Sequence, residues 1–294
     1  MYEYDLKKLL SLFAEILKQN LKPQGFQWLN DKTVLFKDGS KSSFFTAFTA
    51  APRFVGKSLL TVSAEQQIQA QQIRKDFNLH GFTADQLSRI WFLLHFPTEN
   101  KSNYTETINS LFQAAEMNEL VALYSALPLL AYPEEWTFRC TEGIRSNIGS
   151  VLESVICNNP YPAENLDESA WNQLVLKAFF TDKPVNKIIG LDKRANQKLA
   201  DTLSDYAHER WAAHRTINPQ LWRLVGPFLN ENLFEDIQKL FKEGDETEKK
   251  AAALACSSSR FAPARQLLEQ YPDLKAAVEK NELTWNVVAQ AAIA

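Results

Sequence analysis

The sequence predicts an all-α fold, a right-handed array of antiparallel helix pairs of the HEAT or armadillo type. Glycine is scarce, with nine residues in 294, against a usual share of about 7%. Apolar residues recur at helical spacing along the chain. Helix starts near Pro219, Glu246 and Asp273 share one spacing, which favours stacked hairpins. We therefore expect a single helical-array domain over residues 1–294.

Residues 1–62 form the N-terminal segment of this predicted array. An amphipathic first helix is expected over residues 5–21, and packing on the protein's own core is favoured over lying on a membrane. Residues 26–62 favour two short helices around Asp38 and Gly39, with a loop at Pro52. A small β-hairpin is the alternative for this stretch.

Residues 63–230 carry clearer helix boundaries. Capping boxes at 63–66 and 83–86 predict two helix starts, because Ser or Thr followed three residues later by Gln satisfies free backbone amides. A long helix is expected over 133–157, opened by proline, and another over 192–214. Residues 231–294 favour short helical hairpins, and Asp245 with Glu248 predicts a further capping box there.

Composition excludes several classes of protein. The formal net charge is -3, which does not suit a dedicated nucleic-acid binder. Three separated cysteines without a Cys-x-x-Cys motif fit a reducing, cytoplasmic location and predict no zinc site. No stretch reaches 18 apolar residues, so we expect no transmembrane helix. Phosphate-loop and common hydrolase motifs are absent, and no cofactor is predicted.

Arg210 is the most unusual residue of the predicted 192–214 helix. It and His214 fall on the stripe where apolar residues are expected. A buried charge is costly unless it is paired. Arg210 should therefore have a partner carboxylate or carbonyl group from another helix. Alternatively, it faces a pocket that receives an anionic or planar ligand.

His208 offers the other chemical possibility on this helix. Paired with Asp205 or Glu209, it could act as a general acid–base group. His208 and Glu209 also resemble the start of a zinc-protease motif. The next histidine, His214, is six residues on, on a different face of the helix, so no metal site is expected.

The candidate ligand-binding residues come from the 192–214 helix and the 133–157 helix. Gly143 and Gly149 would weaken the second helix by about 1 kcal/mol each relative to Ala, which indicates close helix packing or ligand access. A concave groove is predicted between the two helices. Its candidate residues are Glu142, Arg145, Asn147, Asp192, Arg194, Asp205, His208, Glu209, Arg210 and Trp211.

Several long strings resemble the EboA-domain family. They are PRF at 52–54, ELVALY at 119–124, NPYP at 159–162, AWNQLVLKA at 170–178, GLDKRAN at 190–196, DYAHERWAA at 205–213, LWR at 221–223 and VGPF at 225–228. The resemblance covers roughly residues 45–230. It implies a cytoplasmic helical protein of bacteria, and it carries over no catalytic residue.

The resemblance also implies which proteins are encoded beside this one. Members of this family are encoded beside a prenyltransferase-like membrane protein, a metal-dependent hydrolase-like protein and sugar-phosphate-like enzymes, in clusters linked to a secondary-metabolite precursor. The sequence thus predicts a noncatalytic scaffold or small-molecule carrier with these proteins as possible partners. An enzyme using an acid–base pair on the 192–214 helix is the alternative.

Overall fold

A computed structural model describes residues 3–36 and 39–291 of the chain. The chain divides into two compact units, Met1–Ala170 and Trp171–Ala294. The described residues form eighteen α-helices and no β-strand, with one isolated bridge between Leu59 and Thr83. The all-α class is confirmed, while the solenoid arrangement and the single domain stay predictions.

The helices are short, and most are separated by only a few residues. In chain order they are α1 (Leu6–Asn20), α2 (Pro23–Val34), α3 (Lys41–Val55), α4 (Ala64–Ile73), α5 (Ala84–His95), α6 (Lys101–Ala114), α7 (Met117–Ala126), α8 (Thr137–Ile144), α9 (Gly149–Ile156), α10 (Tyr161–Asn165), α11 (Glu168–Phe180), α12 (Gln197–Ala212), α13 (Leu221–Val225), α14 (Glu231–Glu243), α15 (Glu246–Ser258), α16 (Ala262–Leu268), α17 (Pro272–Glu279) and α18 (Trp285–Ala291). Single 3₁₀ turns cover Leu127–Leu129, Pro133–Trp136, Val185–Lys187 and Gly226–Phe228.

Helix α1 packs on the core of the first unit, as its pattern predicts. Leu9, Phe13, Ile16 and Leu17 are all fully buried, and the helix contacts α4 and α5. No described apolar stripe of α1 is therefore left for a membrane surface. Both capping boxes, at the starts of α4 and α5, are confirmed.

Residues 23–34 and 41–55 are helical, so the hairpin alternative is wrong. Helices α2 and α3 flank Gly39, which takes a left-handed φ of 76°, while Asp38 lies outside the described residues. The loop expected at Pro52 is also wrong, because Pro52 lies inside α3.

Pro52 changes the hydrogen bonding of α3. Proline has no N–H, so the carbonyl of Phe48, four residues earlier, loses its helical partner. Arg89 Nε, on α5, donates a hydrogen bond to that oxygen at 3.2 Å. A side chain from a neighbouring helix thus takes the place of the missing backbone donor.

Helix α5 is the centre of the first unit. All eleven residues from Ala84 to Leu94 are buried, and the helix packs against α1, α3 and α7. Arg89 is fully buried. Its Nη1 lies 2.6 Å from Asp85 Oδ2, and its Nη2 lies 4.0 Å from Glu119 Oε1. A buried guanidinium therefore sits between two buried carboxylates.

The long helix predicted over 133–157 is wrong. This segment instead forms the 3₁₀ turn Pro133–Trp136, followed by α8 and α9, with a break at residues 145–148 between the two helices. In the break, Ser146 Oγ accepts the N–H of Ile148 at 3.1 Å, a local bond that competes with helix formation. Gly143 still marks a close approach, because a Cβ there would lie 2.6 Å from Val155 Cγ2 and 2.7 Å from Tyr124 Cε1.

Helix α15 organises the second unit. It packs against α13, α14, α16, α17 and α18. Its residues 251–255 are buried and all but one are alanine, which lets neighbouring helices come close. Gly226 meets this face, since a Cβ there would lie 2.7 Å from Ala255 Cα. The capping box predicted at Asp245 is confirmed.

Candidate functional site

A cleft of about 570 Å³ opens in the second unit, beside the end of α12. Its walls are the loop after α11 (182–186), the loop before α13 (216–220), the first turn of α15 and the end of α18. Small-molecule sites commonly have volumes of about 300–1,000 Å³. The cleft therefore has the size of a site for a small metabolite.

Arg210 is the member of the cleft wall that the sequence singled out. It is half-buried. Its Nε donates to the backbone oxygen of Thr216 at 2.8 Å, and its Cζ lies 5.8 Å from the centroid of the Tyr206 ring. Among the described residues it has no carboxylate partner. The carbonyl partner comes from the loop after α12 and not from another helix, and the ligand expected in a pocket at Arg210 stays a prediction.

The loop before α13 is fixed by side-chain hydrogen bonds. Asn218 Oδ1 accepts the N–H of Gln220 at 3.0 Å. Gln220 is itself buried, and its Nε2 donates to the oxygen of Trp285, at the start of α18, at 2.6 Å. This bond ties two walls of the cleft together. The partner of Arg210 therefore lies in a loop with a defined conformation.

Helix α12 is shorter than the predicted 192–214 helix. Its N-cap is Asn196, whose side chain accepts the N–H of Leu199, and residues 190–194 form turns. His214 lies beyond the end of the helix, exposed and with a left-handed φ of 53°. The predicted placement of Asp192, Arg194 and His214 on one helix is wrong.

His208 pairs with a carboxylate that the sequence did not indicate. Its Nε2 lies 2.5 Å from Asp236 Oδ1, on α14. Ser204 Oγ donates to Asp236 Oδ2, also at 2.5 Å. Asp205 and Glu209 are exposed, and neither is the hydrogen-bond partner of His208. The His208 side chain is 56% exposed, and it is not part of the cleft wall.

A sequence signal for Asp236 did exist. Asp236 lies on the stripe of α14 that contains Leu233, Ile237 and Leu240, and all four are buried. A carboxylate on such a stripe needs a partner from another element. The pattern identifies the need but not the partner, because His208 is 28 positions away in the sequence.

Trp211 belongs to an aromatic stack outside the cleft wall. Its ring lies 5.7 Å from that of Trp222 with an interplanar angle of 20°. Lys239 Nζ lies 4.1 Å from the Trp211 ring centroid. The stack fastens the end of α12 to α13 and α14, which is a packing role.

The candidates before α12 are held by specific contacts. Asp192 accepts two hydrogen bonds from the guanidinium of Arg223, at 2.5 and 2.6 Å. Arg194 Cζ lies 4.8 Å from the Trp171 ring centroid. Neither residue is part of the cleft wall. Both stabilise the turns that lead into α12.

Glu142, Arg145 and Asn147 belong to the first unit, and the other seven candidates to the second. Glu142 accepts a hydrogen bond from Arg139 Nη1 at 2.6 Å. Arg145 and Asn147 are exposed in the break between α8 and α9. The groove predicted between these three residues and the 192–214 segment stays a prediction.

The described residues also bear on two other kinds of feature, metal centres and membrane spans. In residues 3–36 and 39–291, no three side chains of His, Cys, Asp or Glu lie together as metal ligands would. None of the helices in that part of the chain combines the length and apolar character needed to span a membrane.

The chain matches one family of known proteins. The sequence model of the family described as Metabolite traffic protein EboA matches residues 9–226. The match starts earlier than the resemblance over 45–230 indicated, and it ends close to the same point. No curated protein and no solved structure matches the chain.

Proposed function

Because the chain belongs to the EboA family, we propose that it is a noncatalytic carrier that binds a small anionic metabolite beside Arg210. The family description names metabolite traffic. A carrier in such traffic needs a site that holds its cargo without converting it. The cleft in the second unit is our candidate for that site.

The guanidinium of Arg210 is the observation that carries this proposal. A guanidinium has five N–H donors, and the Arg210 side chain has one hydrogen bond, from Nε. The two terminal nitrogens have no partner among the described residues. Arginine binds carboxylates and phosphates through two parallel hydrogen bonds. Arg210 is therefore suited to receive an anionic group from a ligand in the cleft.

The surroundings of the guanidinium support binding of a whole metabolite. Val185, Ile217 and Pro219 contribute apolar surface to the cleft, while Asn186 and Asn218 contribute polar groups. Such a mixture fixes the orientation of a small amphipathic molecule. The alternative of an enzyme with an acid–base pair on the 192–214 segment is less well supported, because His208 is paired with Asp236 and lies outside the cleft wall.

We further propose the scaffold role and the partners that the family resemblance implies. A helix-pair array would offer an extended surface for the prenyltransferase-like and hydrolase-like proteins, and the traffic would start in the cytoplasm. The scaffold role, the partners and the location do not depend on Arg210. Loss of the cleft would therefore leave partner binding unchanged.

Ligand-observed NMR with a panel of small organic anions tests the carrier role. The wild-type chain is compared with Arg210→Gln and with the matched control Arg215→Gln, which removes an exposed charge outside the cleft wall. We expect Arg210→Gln to weaken binding about tenfold or more, since one charge-assisted contact is worth about 1.5–3 kcal/mol, and Arg215→Gln to have little effect. Equal binding by all three chains would refute the carrier role.

A further inference from the structure

The wall of the cleft carries charges of both signs. Its cationic residues are Arg210 and Lys183, and its acidic residues are Asp182, Asp245 and Glu248. The carboxylates are in excess by one. Charges within the Debye length, about 8 Å at physiological ionic strength, are screened only in part. A ligand anion at Arg210 therefore shares the cleft with an excess of negative side chains.

Two of the three carboxylates are already occupied by the backbone of α15. Asp245 Oδ1 accepts the N–H groups of Thr247 and Glu248, both at 2.8 Å. Glu248 Oε2 accepts the N–H of Asp245 at 2.9 Å. This capping box also places both charges at the positive end of the helix dipole. These carboxylates serve the helix start and contribute to the field of the cleft.

Asp182 is the carboxylate that remains. It follows the end of α11 with a left-handed φ of 51°, a conformation that aspartate and asparagine tolerate better than most residues. The turn is fixed by backbone bonds from Asp182 N to Phe179 O and from Lys183 N to Ala178 O. The Asp182 side chain is exposed, and among the described residues it has no hydrogen-bond or ion-pair partner.

We propose that the ligand is a small zwitterion, whose anionic group binds Arg210 and whose ammonium group binds Asp182. This inference rests on the proposed function, because it assigns the second charge of the same ligand. The body of the molecule would contact the apolar lining residues Pro184, Val185 and Ile217. Amino carboxylates are the simplest chemical class that meets this description.

The charge pattern distinguishes this class from simple anions. A carboxylate with an uncharged tail gains the contact with Arg210, but its tail leaves Asp182 without a cation and desolvates it. An ammonium at that end adds a second charge-assisted hydrogen bond. The expected advantage of the zwitterion over a carboxylate of equal length is about tenfold in affinity.

A homologous series of unbranched ω-amino carboxylates tests the inference on the full chain. The series starts at glycine and lengthens by one methylene group at a time, and alkyl carboxylates of equal length are the comparison. Affinities are measured by isothermal titration for wild type, Asp182→Asn and Arg210→Gln. Asparagine keeps the left-handed turn accessible, and Asp273→Asn, exposed on α17, is the matched control.

We expect one chain length to bind about tenfold tighter than its carboxylate counterpart. Asp182→Asn should remove this advantage and raise the affinity for the carboxylate, because the tail then desolvates no charge, and Asp273→Asn should keep both affinities. Arg210→Gln should weaken both series. Equal affinities for the two series, or an advantage that survives in Asp182→Asn, overturns the zwitterion and leaves the carrier role intact if Arg210 still matters. Binding that is independent of Arg210, or no binding by any probe, overturns both.

Discussion

Replacing Arg89 by methionine tests whether the buried charge cluster of α5 holds the first unit together. The change keeps the bulk of the side chain but removes the charge. It leaves Asp85 and Glu119 with side chains only 5% and 8% exposed and without a cation. It also leaves the Phe48 carbonyl, which Pro52 deprives of a backbone donor, without a partner.

The expected loss is about 3–5 kcal/mol in the free energy of unfolding, the usual cost of removing one partner of a buried ion pair. Whole domains are stable by about 5–15 kcal/mol, so the effect is large. Adding Asp85→Asn should return about 1–2 kcal/mol, because one of the two stranded charges is then removed. Such recovery separates charge burial from simple loss of packing.

Urea unfolding and hydrogen exchange resolved by mass spectrometry provide the measurement. Exchange at α5 and α7 peptides reports the first unit alone, which matters because two compact units need not unfold in one step. Arg53→Met, exposed on α3, is the matched control and should stay within about 0.5 kcal/mol of wild type. An Arg89→Met chain as stable as this control, or a double variant with purely additive losses, would refute the reasoning.

The remaining predictions concern packing and pH. Gly143→Ala should lower the free energy of unfolding by about 1–2 kcal/mol, because overpacking against Val155 and Tyr124 outweighs the gain in helix propensity. The urea midpoint should fall accordingly. Adding Val155→Ala should recover part of the loss, and an unchanged midpoint in Gly143→Ala would contradict the prediction. Burial raises the pKa of Cys256 from 9.0 to about 12. The folded chain then keeps a proton that the unfolded chain releases, so stability should fall as the pH rises through 9 towards 12. In Cys256→Ala this decline should be shallower, and equal slopes would rule out the thiol as a contributor.

What could be predicted from the sequence was mostly local. The helical class and the capping boxes depend on residues three or four positions apart, and those were confirmed. The break after α8 was missed, because Ser146 competes with the helix through a single local hydrogen bond. The loop predicted at Pro52 was wrong because a distant residue, and not a local one, decides the structure there. Pro52 is tolerated inside a helix since Arg89 compensates its missing donor, and no local pattern contains that information.

The candidate site shows the same limit. Arg210 was identified because an arginine stood on an apolar stripe, and the structure does place it in a cleft wall. Asp182, the proposed partner of the ligand ammonium group, has no such signal, since an aspartate after a helix is an ordinary way to end it. Asp236 was also missed, although it forms the contact that defines the position of His208. Pairing between distant segments depends on tertiary packing, which a single sequence does not specify.

The alanine-rich face of α15 has a consequence for the rate at which the proposed carrier would exchange its cargo. Alanine has no side-chain rotamers to lose or rearrange, and residues 251–255 are buried against the neighbouring helices. The first turn of the same helix forms one wall of the cleft. That wall is therefore preorganised, and a ligand does not spend binding energy on ordering it. In the proposed carrier, loading and release at such a wall would require no repacking of the helix, so the lifetime of the complex would be set by the contacts of the cargo itself.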